Sequence, residues 1–97
     1  MSGGARQIWA AKVRARFPSC PGYYRDEIAE RLAARTVLPG LERQAVEEMA
    51  RSVIRHQLTD YDALLARHTL SREEVRQIVE PEVEDWFAEW EDRARPE

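Results

Sequence analysis

Apolar side chains recur every third or fourth residue along most of this chain, which is the spacing of one face of an α-helix. Five segments carry such a stripe. Their apolar positions are Trp9, Val13 and Phe17; Tyr24, Ile28 and Leu32; Ala45, Val46, Met49, Val53 and Ile54; Leu64 and Leu65; and Val79, Val83, Trp86, Phe87 and Trp90. The stripes predict helices over residues 5–17, 23–35, 41–58 and 60–67, and a fifth helix that starts at residue 72.

Proline and glycine separate the first three helices. The segments 18–22 and 36–40 each contain both residue types, which favour turns over helix. Pro81 falls inside the fifth segment, where it removes one amide donor and bends or divides a helix. Because the apolar stripe keeps its phase across Pro81, a kinked but continuous helix is the first expectation and a division into two is the alternative. The pattern predicts an all-α fold, a compact five-helix bundle with a short fourth helix.

A chain of 97 residues suits one domain. We expect residues 1–4 to form a disordered N-terminus and residues 5–94 a single helical domain. No apolar run approaches the ~18 residues of a membrane span, so no membrane association is expected. Cys20 is the only cysteine, which fits a reducing compartment and predicts a cytoplasmic protein with Cys20 as a small buried side chain.

Two helix starts carry a capping-box pattern, in which a hydroxyl and an acid three residues later satisfy free backbone amides. Ser71 and Glu74 have the usual residues for the fifth helix. Thr59 and Asp62 have the same spacing for the fourth helix, with Asp in place of Glu or Gln. The pattern therefore predicts that both pairs cap their helices.

The densest group of polar side chains lies where the third helix ends and the fourth begins. We call this group the polar corner; its members are Arg55, His56, Thr59, Asp60, Tyr61 and Asp62. Cations are favoured at a helix C-terminus and carboxylates at a helix N-terminus. The preferred interpretation is therefore structural: Arg55 or His56 pairs with Asp60 or Asp62 and fixes the turn.

The arginines near this corner support an alternative, nucleic-acid binding. Arg51 and Arg55 lie one helical turn apart, and Arg72 and Arg76 repeat that spacing. Four converging guanidiniums could bind phosphates. Charge is also unevenly distributed, with a net +4 over residues 1–35 (seven bases, three acids) and −6 over residues 80–97 (two bases, eight acids). The acidic last helix could neutralise the basic first helix, which would weaken this alternative.

A catalytic or metal site is a further alternative, built from His56, Asp60, Asp62 and His68. The chain contains no metalloprotease, paired-cysteine or nucleophile-elbow motif. A domain of this size also seldom encloses a substrate pocket of ~300 Å³. We therefore expect no enzyme activity, no cofactor, no metal and no small-molecule substrate.

Trp86 and Trp90 lie one turn apart on the last helix. Tryptophan is enriched in the energetic centres of protein interfaces, so these two side chains are candidate anchors for a partner. A core position is the alternative that their helical spacing favours. The leading functional hypothesis is a non-enzymatic interaction module that binds a protein partner or self-associates.

The sequence resembles the bacterial and fungal domain-of-unknown-function family 2293 over about residues 17–90. The resemblance rests on Phe17-Pro18, Cys20-Pro21, Arg55-His56, Thr59, Tyr61-Asp62, Leu64-Leu65, Arg72, Arg76, Val79 and Trp90. It implies a compact helical domain and no particular activity. Members often have Gly where His68 stands, at a left-handed helix end, and carry an insert where this chain has only residues 36–40.

Overall fold

The computed structural model of the chain describes residues 3–93. It contains five helices and, within those residues, no strand, so the predicted all-α bundle is confirmed. The helices are α1 (Gly3–Arg16), α2 (Gly22–Ala33), α3 (Glu42–Gln57), α4 (Tyr61–Ala66) and α5 (Arg72–Glu91).

The first helix starts two residues before the predicted position. Gly3 and Gly4, placed by the sequence in a disordered start, belong to α1. The carbonyl groups of a first helical turn accept bonds from amides one turn later, which offsets the weak helix preference of glycine. Residues 1 and 2, and the predicted domain end at residue 94, lie outside the described residues.

The C-terminal end of α5 contacts the turn between α1 and α2. The amide of Ser19 in that turn donates a hydrogen bond of 3.0 Å to the Trp90 carbonyl near the end of α5. The guanidinium of Arg93 donates to the Ala15 carbonyl at 3.4 Å. The first two helices form a hairpin, and α3 contacts α1, α2, α4 and α5. The third helix is therefore central.

A single apolar cluster joins all five helices, and an aromatic group forms one end of it. Trp90 is 1% exposed and stacks on Tyr24, with ring centroids 5.7 Å apart. Phe17 meets the edges of Trp90 and Phe87, with centroids 6.3 and 5.0 Å away. These contacts bring α1, α2 and α5 together beside the hydrogen bond from the Ser19 amide to the Trp90 carbonyl.

The fourth helix buries a different side chain from the ones expected. Tyr61 is 4% exposed, whereas Leu64 and Leu65 are only partly buried against the core. A six-residue helix has too few turns to complete an apolar stripe, so its position on α3 and α5 decides which side chain is covered.

The last helix runs for 20 residues through Pro81 without division. Its N-terminus has the predicted capping box: Ser71 Oγ accepts from the Glu74 amide at 3.1 Å, and Glu74 Oε1 accepts from the Ser71 amide at 2.8 Å. Val79 and Val83 flank the proline and are both buried. Continuous burial of the stripe stabilises the helix across the missing hydrogen bond at Pro81.

The connection from α4 to α5 contains the one non-glycine residue with positive φ in the described chain, His68 at φ 59°. It is the second residue after Ala66, the last residue of α4, and its amide donates to the Leu65 carbonyl at 3.2 Å. This is the left-handed helix end at which glycine is favoured.

Replacing His68 by Gly is expected to raise the free energy of unfolding by about 0.5–1 kcal/mol, because glycine adopts positive φ without the steric cost of a Cβ. Urea denaturation followed by circular dichroism measures the change. His68→Ala is the control, since alanine keeps the Cβ. Equal stabilities of the Gly and Ala variants would show that backbone strain at residue 68 is negligible.

Candidate functional site

Two side chains of the polar corner, His56 and Asp62, lie at ion-pair distance. Nδ1 of His56, in the last turn of α3, lies 2.8 Å from Oδ1 of Asp62, in the first turn of α4. The same imidazole meets the buried Tyr61 ring edge-on, with centroids 5.1 Å apart. The pair forms between two of the residues that the interpretation named, and it lies at the surface, where such pairs stabilise little.

Thr59 acts differently from its expected role as a capping residue. Its hydroxyl donates to the Arg55 carbonyl and accepts from the Tyr61 amide at 3.2 Å. The residue before α4 is Asp60, and its side chain makes no capping hydrogen bond. The predicted Thr59–Asp62 capping box is therefore wrong. The hydroxyl accepts from the amide two residues ahead, at Tyr61, and not from the Asp62 amide that a capping box requires.

The four arginines of the nucleic-acid hypothesis have two different environments. Arg51 donates from Nε and a terminal nitrogen to Glu84 of α5, at 2.9 and 3.2 Å, and its guanidinium lies 3.9 Å from the Phe87 ring centroid. Arg55 lies over Tyr61, and its Nε is buried without a hydrogen-bond partner in the described structure.

Arg72 and Arg76 are exposed at the start of α5 and make no ion pair with any residue among 3–93. The structure thus separates Arg51 and Arg55, which lie against aromatic rings, from Arg72 and Arg76, which face solvent. The four arginines therefore do not form a single exposed cationic surface.

No group of three histidine, cysteine, aspartate or glutamate side chains within residues 3–93 is placed to hold a metal ion. Of the four residues in the catalytic or metal alternative, only His56 and Asp62 form a contact with each other. Burial raises the pKa of the Cys20 thiol to about 12, which keeps it protonated and unreactive at neutral pH.

A second set of ion pairs joins α1, α3 and α5, of which the uneven distribution of charge along the sequence was only a general indication. Arg16 donates from Nε to Glu47 at 2.7 Å, and its terminal nitrogen lies 2.7 Å from Glu91. The hydrogen bonds from Arg16 hold the pKa of the Glu47 carboxyl below its usual range, against the effect of burial. The acidic end of α5 therefore does neutralise one cation of the basic α1.

The two tryptophans differ in accessibility. Trp90 is part of the core and its ring is covered by Tyr24 and Phe17, so it is not available as an anchor for a partner. Trp86 is half-buried and packs against the same core. The helical stripe that Trp90 completes faces the interior, which supports the core alternative for this residue.

An open groove with both apolar and polar lining residues lies between α3 and the connection that precedes it. We call it the α2–α3 groove; it has a volume of about 450 Å³, and its lining includes Leu32, Leu38, Leu41, Ala45 and Met49. Leu38 is 63% exposed and Leu41 is 46% exposed. Proline and glycine in this stretch predicted only a helix break. The signal for the groove is the apolar run Val37-Leu38, followed by Leu41, inside a connection.

The fold and these surfaces define a small all-helical domain with a salt-bridged core edge and an open groove. Within residues 3–93, no helix combines the length and the apolar character that crossing a membrane requires. The chain belongs to the family described as "Uncharacterized conserved protein (DUF2293)", whose model matches residues 12–91. No curated protein and no solved structure matches it.

The corner geometry predicts that Thr59 contributes more to stability than Asp62. Thr59→Val removes both hydrogen bonds while retaining the shape, and it should lower the free energy of unfolding by about 1–2 kcal/mol. Asp62→Asn alters only the exposed contact with His56 and should cost under about 0.5 kcal/mol. Urea denaturation of both variants measures the difference. A larger loss for Asp62→Asn would mean that the ion pair, and not the hydroxyl, fixes the turn.

The interhelical pair of Arg51 and Glu84 predicts acid sensitivity. Hydrogen bonding from Arg51 lowers the pKa of the Glu84 carboxyl below its ordinary value of 4.5. A carboxyl whose pKa is lower when folded stabilises the protein above the unfolded pKa, and this stabilisation is lost as pH falls through the folded value. Glu84→Gln should therefore lower Tm near neutral pH and reduce the further fall below about pH 4.5.

Thermal melts between about pH 2 and 7 test this expectation. The matched control is Glu82→Gln, at an exposed glutamate of the same helix that makes no ion pair with another described residue. If both variants show the same pH profile, the Arg51–Glu84 pair contributes nothing to acid sensitivity.

Proposed function

We propose that this domain is a non-enzymatic interaction module that binds apolar side chains of a protein partner in the α2–α3 groove. The observation that carries the proposal is the exposure of Leu38 and Leu41 beside a groove whose floor includes Leu32 and Met49 of the core. The Leu41 amide donates to the Leu38 carbonyl at 3.1 Å, so a short turn fixes both leucines at the rim.

The energetics favour covering this surface. Removing a leucine side chain from water stabilises a complex by roughly 1.5–3 kcal/mol before the cost of ordering is deducted. A groove of about 450 Å³ accommodates a few side chains, which suits anchor residues of a peptide or helix. Such a contact requires no reaction and no cofactor.

Nucleic-acid binding is the alternative proposal, and the exposed Arg72 and Arg76 support it. Arg51 supports it less, because Glu84 and Glu80 both act on its charge. A phosphate would have to displace the bidentate Glu84 carboxylate before Arg51 could bind it. We further propose a cytoplasmic location, since the one cysteine is buried in the core and a reducing compartment suits it.

The test is selection of short random peptides displayed on phage against the immobilised full chain. We expect enrichment of peptides with closely spaced apolar residues, and loss of their binding in the double variant Leu38→Ser, Leu41→Ser. Leu41 is the N-cap of α3 and makes no side-chain capping bond. Serine at that position supplies a cap, so the variant should fold at least as well as the wild type.

The matched control is Ile8→Ser, Ile78→Ser, which removes two exposed apolar side chains of α1 and α5, 60% and 55% exposed. It should retain peptide binding. Equal loss in both double variants, or no enrichment on the wild type, would contradict the proposal. Sedimentation at increasing concentration tests whether the chain self-associates. If it does, and the leucine variant abolishes this self-association, the occupant of the groove is a second copy of the chain.

A further inference from the structure

We infer that the partner segment is acidic, with its apolar residues in the α2–α3 groove and its carboxylates in a cationic cleft on the other side of the start of α3. This inference rests on the proposed function and specifies the chemistry of the partner. The cleft has a volume of about 610 Å³, and its cationic lining residues are Lys12, Arg16, Arg43 and Arg93. They come from α1, α3 and the segment after α5.

The carboxylates of the cleft already have partners. Glu91 lies 2.7 Å from a terminal nitrogen of Arg16, and Glu42 accepts a hydrogen bond of 2.9 Å from the Gly40 amide. Glu47, beside the cleft, accepts from both Arg16 and Arg43 at 2.7 and 3.1 Å. Arg16 therefore neutralises much of the acidic charge within the protein itself.

The remaining cations have donors to spare. The ammonium of Lys12 makes no hydrogen bond or ion pair with any described residue. Within residues 3–93, Arg43 uses Nε for Glu47, which leaves its terminal nitrogens, and Arg93 donates only to the Ala15 carbonyl. Ammonium and guanidinium groups with unused donors bind carboxylates through charge-assisted hydrogen bonds.

The groove and the cleft share one short segment of backbone. Gly40 and Glu42 line the cleft, and Leu41 between them lines the groove. An extended or helical segment that crosses this backbone reaches both surfaces. The groove itself is lined by one cation, Arg35, and one carboxylate, Glu48. Glu48 accepts a hydrogen bond from the Gln44 side-chain amide at 2.9 Å, and Arg35 makes no ion pair within residues 3–93, so the excess of cations lies in the cleft. The groove lining contains no aromatic ring on which a nucleic-acid base could stack, so the observations favour a peptide over a nucleic acid.

The peptides selected in the phage experiment test this inference through their charge. We expect the enriched sequences to combine apolar residues with several Asp or Glu. Synthetic copies of the enriched peptides should bind more weakly as salt rises from about 50 to 200 mM, because screening weakens exposed charge pairs. Enrichment of neutral or basic apolar peptides would overturn the inference and leave the proposed function standing.

Charge reversal then locates the carboxylates. Lys12→Glu, Arg43→Glu should weaken binding of the enriched acidic peptides by about tenfold or more. Arg72→Glu, Arg76→Glu is the matched control, because it changes the net charge equally on the helix that follows α4. It should change the affinity by less than about twofold. Equal effects of the two variants would overturn the cleft assignment. Circular dichroism melts of both variants establish that the fold is intact.

The last experiment tests whether oligonucleotides of mixed sequence bind in the cleft. Binding of single-stranded RNA or DNA that competes with the peptides and is lost in Lys12→Glu, Arg43→Glu would assign the cleft to phosphate and overturn the inference. Loss of peptide binding in Leu38→Ser, Leu41→Ser with no effect of charge reversal would retain the groove and reject the cleft. Failure of the proposed function and failure of this inference therefore give different results.

Discussion

The packing of Trp90 against Tyr24 and Phe17 is the interaction on which the rest of this fold depends. It joins the end of α5 to the turn between α1 and α2, and the backbone bond from Ser19 to the Trp90 carbonyl accompanies it. To reach this point, α5 must run the length of the bundle without interruption. That requirement explains why Pro81 is accommodated inside a continuous helix, since division there would move Trp90 away from its pocket.

The interhelical charges are arranged around the same aromatic group. The guanidiniums of Arg16 and Arg51 lie 5.3 and 3.9 Å from the Phe87 ring centroid, and each pairs with carboxylates of other helices. Their aliphatic stems and planar heads cover the edge of the core while the charge is compensated. Both arginines therefore hold helices together, and the charge of Arg51, one of the four arginines of the nucleic-acid hypothesis, is compensated within the protein.

The connection between α2 and α3 is where the bundle leaves apolar surface uncovered. It is short, it contains Gly40 with φ of 88°, and it holds two leucines at the rim of a groove that opens onto the core. The same turn places Gly40 and Glu42 beside Lys12 of α1. Leu41 of this turn faces the groove, whereas its neighbours Gly40 and Glu42 face the cleft. The groove therefore lies next to cations that have unused hydrogen-bond donors. This proximity underlies the proposed partner chemistry.

The sequence by itself determined the helices, their apolar faces and the Ser71 cap, because these depend on residues within a few positions of each other. It also indicated the His56–Asp62 pair, which two adjacent helix ends bring together. It did not determine that Thr59 bonds back to the Arg55 carbonyl, since a hydroxyl chooses among several acceptors according to how the two helices meet. Nor did it determine which cations are neutralised or where apolar surface stays open. Those properties depend on which helices lie side by side, and only the tertiary structure decided them.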